Sequence, residues 1–117
     1  YDHLNVALVG IGTADNTSSA FRSGYYSDEM KQQAVKDQVC GDICMHLFDK
    51  EGRTDCFPYN KQIVGVNLNK LKKVPYAIGI ASGVRKAEAI RGAIKGGYIN
   101  VLVTDAQCGQ ALTRLND

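Results

Sequence analysis

The pattern of apolar and polar positions divides the chain into strand-like runs and helix-like stripes. Leu4-Asn5-Val6-Ala7-Leu8-Val9 is nearly continuous apolar sequence that stops at Gly10-Ile11-Gly12-Thr13. Such a run marks a strand buried on both faces, as in a parallel sheet. Residues 14–24 are small and polar and read as a loop. Ser27-Asp28-Glu29 then opens a helix through about Val39, with Ser27 as N-cap and acids in the first turn. Asp42–Phe48 reads as the next strand, ended by Asp49-Lys50-Glu51-Gly52, and Gln62–Val66 as a short one before a helical turn around Leu68–Lys72. The last third repeats one unit twice. Tyr76–Ala81 is a strand, Ser82-Gly83 a turn and Val84–Lys95 a helix closed by Gly96-Gly97; Ile99–Thr104 is a strand, and Asp105 caps a helix through Arg114.

Strands alternating with helices imply crossover units, hence an α/β domain with a parallel sheet covered by helices on both sides. The first strand begins at residue 4, and only four or five strands are visible. A doubly wound domain usually has more, so the pattern predicts part of a domain, or one that needs a neighbour.

Composition sets limits on this picture. The 117 residues suffice for one small domain, and 44% hydrophobic with 22% charged residues is ordinary globular usage. The longest apolar runs are five or six residues, too short for a membrane-spanning helix. With no basic-then-apolar leader, the expectation is a cytoplasmic protein without membrane contact. Net charge is only +2, but it is unevenly spread: residues 61–95 hold eight basic side chains against Glu88 alone. That window is either a solvated surface or a face that gathers anions. Cys40, Cys44, Cys56 and Cys108 show neither disulfide nor zinc spacing and read as reduced thiols, so no metal is expected. His46, in an apolar strand, reads as a core histidine.

In open parallel sheets, ligands bind beyond the carboxyl ends of the strands. Those ends carry Gly10, Gly12 and Thr13, then Ser82 and Gly83 with Lys86 just beyond, then Asp105. Glycine lets an anion approach the backbone, and helix N-termini offer unpaired N–H groups. On a helical wheel whose buried stripe is Ala87, Ile90 and Ile94, Lys86 lies about 70° from the centre and Arg85 roughly 170° away. Lys86 therefore leans toward the sheet, as a ligand group or a snorkelling side chain, and Arg85 leans toward water. Gly10 and Gly12 do not make a dinucleotide fingerprint, since the third glycine position is Asp15 and no helix starts there. No cofactor is expected. Asp42, beside an apolar run, is either a turn residue or an acceptor for ligand hydroxyls. Asp105 reads first as an N-cap, and Arg22, in a polar loop, as a solvated residue or a phosphate clamp.

Leu8-Val9-Gly10-Ile11-Gly12 with a serine-rich loop, Gly41-Asp42-Ile43, Ala81-Ser82-Gly83 with Lys86-Ala87-Glu88-Ala89-Ile90, and Val101-Leu102-Val103-Thr104-Asp105 occur in this order. The ordered set resembles the C-terminal effector-binding domain of SorC/DeoR-type bacterial sugar-responsive transcriptional regulators, over nearly the whole chain. The resemblance implies a Rossmann-like fold similar to ribose-5-phosphate isomerases and glucosamine-6-phosphate deaminases. It also implies a sugar or sugar-phosphate effector that shifts oligomeric state (dimer or tetramer) or operator affinity. Operator DNA would be bound only through a helix-turn-helix domain that these residues do not contain. By the same resemblance Asp42 contacts sugar hydroxyls, Lys86 contacts the phosphate or sugar, and Arg22 assists with phosphate. The chain departs from the family in having Ser82-Gly83 where two glycines are usual, and in being about half the length of the family domain. Residues 1–117 would then be the C-terminal part of an effector domain. The alternative of a different class, a sugar-phosphate isomerase or deaminase of the same fold, needs a positioned acid and base. Apart from Asp42 and His46 the sequence offers no such pair, and the domain is expected not to be an enzyme. A bland third reading is an assembly module without a ligand.

Overall fold

The computed structural model of the chain describes residues 3–15, 26–55, 57, 60–61 and 67–115. The strand expected at 62–66, Arg22 and Cys56 lie outside the described residues. Five strands form one sheet: β1 (Val6–Thr13), β2 (Val39–Ile43), β3 (His46–Asp49), β4 (Tyr76–Ile80) and β5 (Val101–Val103), in the order β3-β2-β1-β4-β5. The helices are α1 (Asp28–Lys36), the single turn α2 (Leu68–Leu71), α3 (Ala87–Lys95) and α4 (Ala106–Arg114).

The sheet is mixed, which corrects the expectation of a parallel one. β4 runs parallel to both β1 and β5, whereas β2 is antiparallel to β1 and to β3. The run Asp42–Phe48, read as one strand, reverses in its middle. Ile43 pairs with His46 across Cys44 and Met45, whose φ angles are +50° and +69°. Two consecutive positive φ values make the two-residue turn whose twist suits a hairpin, a conformation usually marked by Asn-Gly. Cys44 and Met45 carry no such mark. At the other end of β2 another positive φ shortens α1: it ends at Lys36, Gln38 takes φ +60°, and Val39 already belongs to β2.

Ile11, Ile43, Phe48, Ala77, Ile90, Ala93 and Ile99 form the main core, with Leu68 and Leu71 of α2 and Cys108 of α4 packed into it. α3 lies directly on the hairpin because both surfaces carry glycine. A Cβ at Gly41 would come within 2.7 Å of the Ala89 Cβ, and one at Gly92 within 2.9 Å of the Phe48 ring. Side chains alternate along a strand, so Leu47, next to Phe48, points the other way. There it meets Tyr26 and Ala34 beside α1. The loop after β3 is tied down by Asp49, whose carboxylate accepts from Glu51 N, Arg53 N and Arg53 Nε at 2.9, 3.0 and 2.7 Å. The Tyr98 hydroxyl donates to Gly52 O at 2.6 Å, joining that loop to the chain after α3.

The helix after β4 also differs from its wheel. A 3-10 turn, Val84–Lys86, precedes α3, and Ile94 is 48% exposed while Ala89, Ile90 and Ala93 are at most 1% exposed. The buried stripe therefore runs through 89, 90 and 93, and Lys86 stands on its line one turn earlier. Ala87 and Ile90 are buried as the wheel had them, and Ala89 and Ala93 take the place of Ile94.

Candidate functional site

The carboxyl end of β1 carries Gly10 and Gly12 on the face opposite the main core. Gly12 is the register partner of Asp42 in β2, and a Cβ at Gly12 would overlap Asp42 Oδ1. The missing side chain is thus what lets the carboxylate lie across β1. Burial pushes the Asp42 carboxyl above its ordinary value, and the positive charge of Lys86 pulls it partly back. Lys86 is half-buried at the end of the 3-10 turn. Among the described residues, neither the Asp42 carboxylate nor the Lys86 ammonium has a hydrogen-bond partner. A half-buried carboxylate packed on a glycine, within electrostatic reach of an ammonium, offers a polyhydroxylated anion both acceptors and a cation.

The turn bearing Lys86 is held from β5. Gly83 has φ +103° and its N–H donates to Asp105 Oδ1 at 2.9 Å, while Asp105 Oδ2 accepts from Cys108 N at 3.4 Å and caps α4. The Gly83 N–H, followed by the cap, holds the Asp105 carboxyl below its ordinary value. Asp105 is therefore an N-cap, as its position predicts, and also a strut for the Ser82-Gly83 turn. Ser82 is exposed on that turn, and Gly10 lies beside Ile80 with open space above it.

Thr13 parts company with this group. It faces the opposite side of the sheet, is 4% exposed, and its Oγ1 donates to Asp15 Oδ1 at 3.0 Å. There it lines a cleft of about 510 Å³ with Gln38, Cys40, Lys50, Arg85 and Glu88. Strand alternation separates Thr13 from Gly12. The sequence reading missed Gln38, Cys40 and Glu88, because the irregular β2 register at Val39/Gly41 that turns Cys40 toward this cleft has no sequence signature. Burial, then the charges of Asp49 and Glu88, push the Cys40 thiol up to about 12, so it stays protonated. His46 is half-buried with Nδ1 2.9 Å from Cys44 O, a partner within its own hairpin. Among the described residues no three His, Cys, Asp or Glu side chains gather as a metal site would require.

The sequence profile of the family described as "Putative sugar-binding domain" matches residues 1–114. The chain belongs to this family. The deoxyribonucleoside regulator of Bacillus subtilis is 38% identical over 108 residues, which are 92% of this chain and 34% of the relative. The transcriptional regulator LsrR of Escherichia coli is 41% identical over 115 residues, 94% of this chain and 36% of the relative. The crystal structure of the full-length sorbitol operon regulator SorC from Klebsiella pneumoniae superposes with a TM-score of 0.82 at 35% identity, covering 98% of this chain and 37% of SorC. The chain thus spans about a third of the length of these relatives. The resemblance to sugar-binding domains of SorC/DeoR-type regulators, read from the ordered motifs, holds. Among the described residues no helix is long and apolar enough to cross a membrane.

Proposed function

We propose that this sugar-binding domain is the ligand-sensing part of a bacterial transcriptional regulator, and that its effector is an anionic sugar such as a sugar phosphate. Asp42 packed on Gly12, with Lys86 within electrostatic reach, carries the reading: the carboxylate takes ligand hydroxyls and the ammonium takes the phosphate. Ser82 and Gly83 offer a backbone turn to the same ligand, Gly10 leaves room above β1, and Asp105 holds the turn. Arg22 is assigned to the effector site from the family resemblance alone, and Thr13, on the other face of the sheet, is left out of it. In this reading residues 1–117 are the C-terminal part of an effector domain with the Rossmann-like topology of ribose-5-phosphate isomerases and glucosamine-6-phosphate deaminases. The domain is not catalytic, works in the cytoplasm, and reaches operator DNA only through a separate helix-turn-helix domain of a homo-oligomeric parent. Effector binding acts by its differential affinity for two subunit arrangements.

Thermal melts of the full-length protein against matched sugars and sugar phosphates test this. A ligand at 100 times its dissociation constant adds about 2.7 kcal/mol. A phosphorylated sugar should raise Tm where its unphosphorylated twin does not, and Lys86→Ala should weaken the phosphorylated ligand selectively. Equal losses for both ligands would contradict the phosphate role of Lys86. Sustained turnover of any sugar phosphate would replace the sensor with an enzyme.

A further inference from the structure

A second cleft opens across the sheet from Asp42. Because β2 runs antiparallel to β1 and to β3, the end of β1, the start of β2 and the end of β3 meet along one edge. Gly41, the register partner of Thr13, packs under Ala89 of α3, so Thr13 lies on the face that α3 covers. The cleft of about 510 Å³ sits between these strand ends and the start of α3, a volume usual for small-molecule sites. Thr13, Cys40 and Ala89 make its floor, and the Cys40 thiol reaches across to the Glu88 carbonyl oxygen at 3.9 Å. That thiol stays protonated, so the floor carries no charge.

Three charged side chains stand exposed around this floor: Lys50 after β3, Arg85 in the 3-10 turn and Glu88 in the first turn of α3. Residues three apart at a helix start are neighbours, about 5–6 Å apart at Cβ, and opposite charges placed so ordinarily pair. Here they do not. Among the described residues Lys50, Arg85 and Glu88 have neither an ion pair nor a side-chain hydrogen bond. Asp15, the other acid of the cleft, is by contrast engaged by Thr13 Oγ1. Charges of both signs that share a cleft without neutralising one another suit a ligand that carries both signs on one small body. A simple anion would meet Glu88, and a simple amine would meet Arg85 and Lys50.

We propose that this cleft is a second ligand site and that it takes a free α-amino acid, with the α-carboxylate on Arg85 and Lys50, the α-ammonium on Glu88 and the side chain over Cys40 and Ala89. An amino acid bears its two charges on one carbon, which matches a guanidinium and a carboxylate one helical turn apart. The cleft uses none of the residues of the proposed effector site, and the inference does not rest on that reading.

The test titrates the full-length protein with each common L-amino acid by isothermal titration calorimetry, without any sugar. At least one should bind with a dissociation constant below about 1 mM. The amine and the carboxylic acid corresponding to the best binder each lack one of its two charges and should bind about ten-fold more weakly or worse. Arg85→Ala and Glu88→Ala, both at exposed positions, should leave the Tm of the free protein unchanged and each weaken the amino acid about ten-fold. Should either lower Tm, Arg85→Gln and Glu88→Gln, which keep the bulk of the side chain, carry the same comparison. No saturable binding by any amino acid would overturn the proposal. Equal binding of the acid or the amine alone would also overturn it, because only one charge would then be read. Undiminished affinity in either variant would do the same, because the ligand would then sit elsewhere.

Discussion

Asp42 and Asp49 sit on the two strands of one hairpin, and the fold treats them in opposite ways. Asp49 is 5% exposed, and three N–H groups of its own loop point at it. Burial alone would push its carboxyl up, but the Arg53 and Glu51 hydrogen bonds and the Arg53 charge more than reverse that. Asp42 is half-buried and raised, with only the charge of Lys86 to offset desolvation. A carboxylate whose partners all come from the chain holds the chain together. One that is desolvated without donors costs stability until something outside the fold supplies them. The contrast separates a structural acid from a candidate ligand-binding one more clearly than burial alone.

The largest effect should come from the structural acid. Asp49→Ala leaves two backbone N–H groups and the Arg53 guanidinium without their acceptor. The expected loss is about 3 kcal/mol, or about 10 °C in Tm. A loss below about 1 kcal/mol would show that the loop does not depend on Asp49. Gly12→Ala comes next, since its Cβ must displace the Asp42 carboxylate. It should cost about 1–3 kcal/mol as overpacking does and also impair effector binding; unchanged stability and binding would place Asp42 elsewhere. Asp42→Asn should leave Tm equal or slightly higher while effector affinity falls, so a large loss of Tm would dissolve the comparison.

The two acids also predict opposite pH slopes. Because the folded state lowers the pKa of Asp49, its contribution is present above the ordinary value of 3.8 and is lost as pH falls through the folded pKa. Because the folded state raises the pKa of Asp42, its charge reduces stability as pH rises from 3.8 through the folded pKa. Melts from about pH 3 to about pH 6 should therefore show Asp49→Asn removing part of the acid-side loss and Asp42→Asn removing part of the decline above it. Parallel curves for the two variants would refute the assignment. The smallest effect belongs to Asp105→Ala, which should lower Tm only modestly because the group is exposed, yet weaken effector binding by releasing the Ser82-Gly83 turn. Measured affinity that follows Tm alone would make Asp105 a cap and nothing more.

The β4-α3-β5-α4 half was legible because its strands are apolar runs and its helices begin or end on recognisable residues, Asp105 and Gly96-Gly97. The hairpin was not, because its reversal rests on Cys44 and Met45 in a conformation that neither residue type advertises. Asp42 and Lys86 could be singled out as polar residues beside apolar patterns, and the structure brings them within electrostatic reach of one another. Thr13 was grouped with them by sequence adjacency, which alternation across a strand does not respect. The antiparallel addition of β2 to β1 decides which glycine meets which acid, and only pairing fixes that.

One consequence of the Asp105 strut concerns motion. Its two oxygens grip the turn that leads to Lys86 and the first turn of α4 together. A pull on Lys86 is therefore passed to α4 through this carboxylate as well as through the packing of Cys108 in the core that holds Ala87 and Ile90. If ligand displaces that turn, the tilt of α4 is the place to see it.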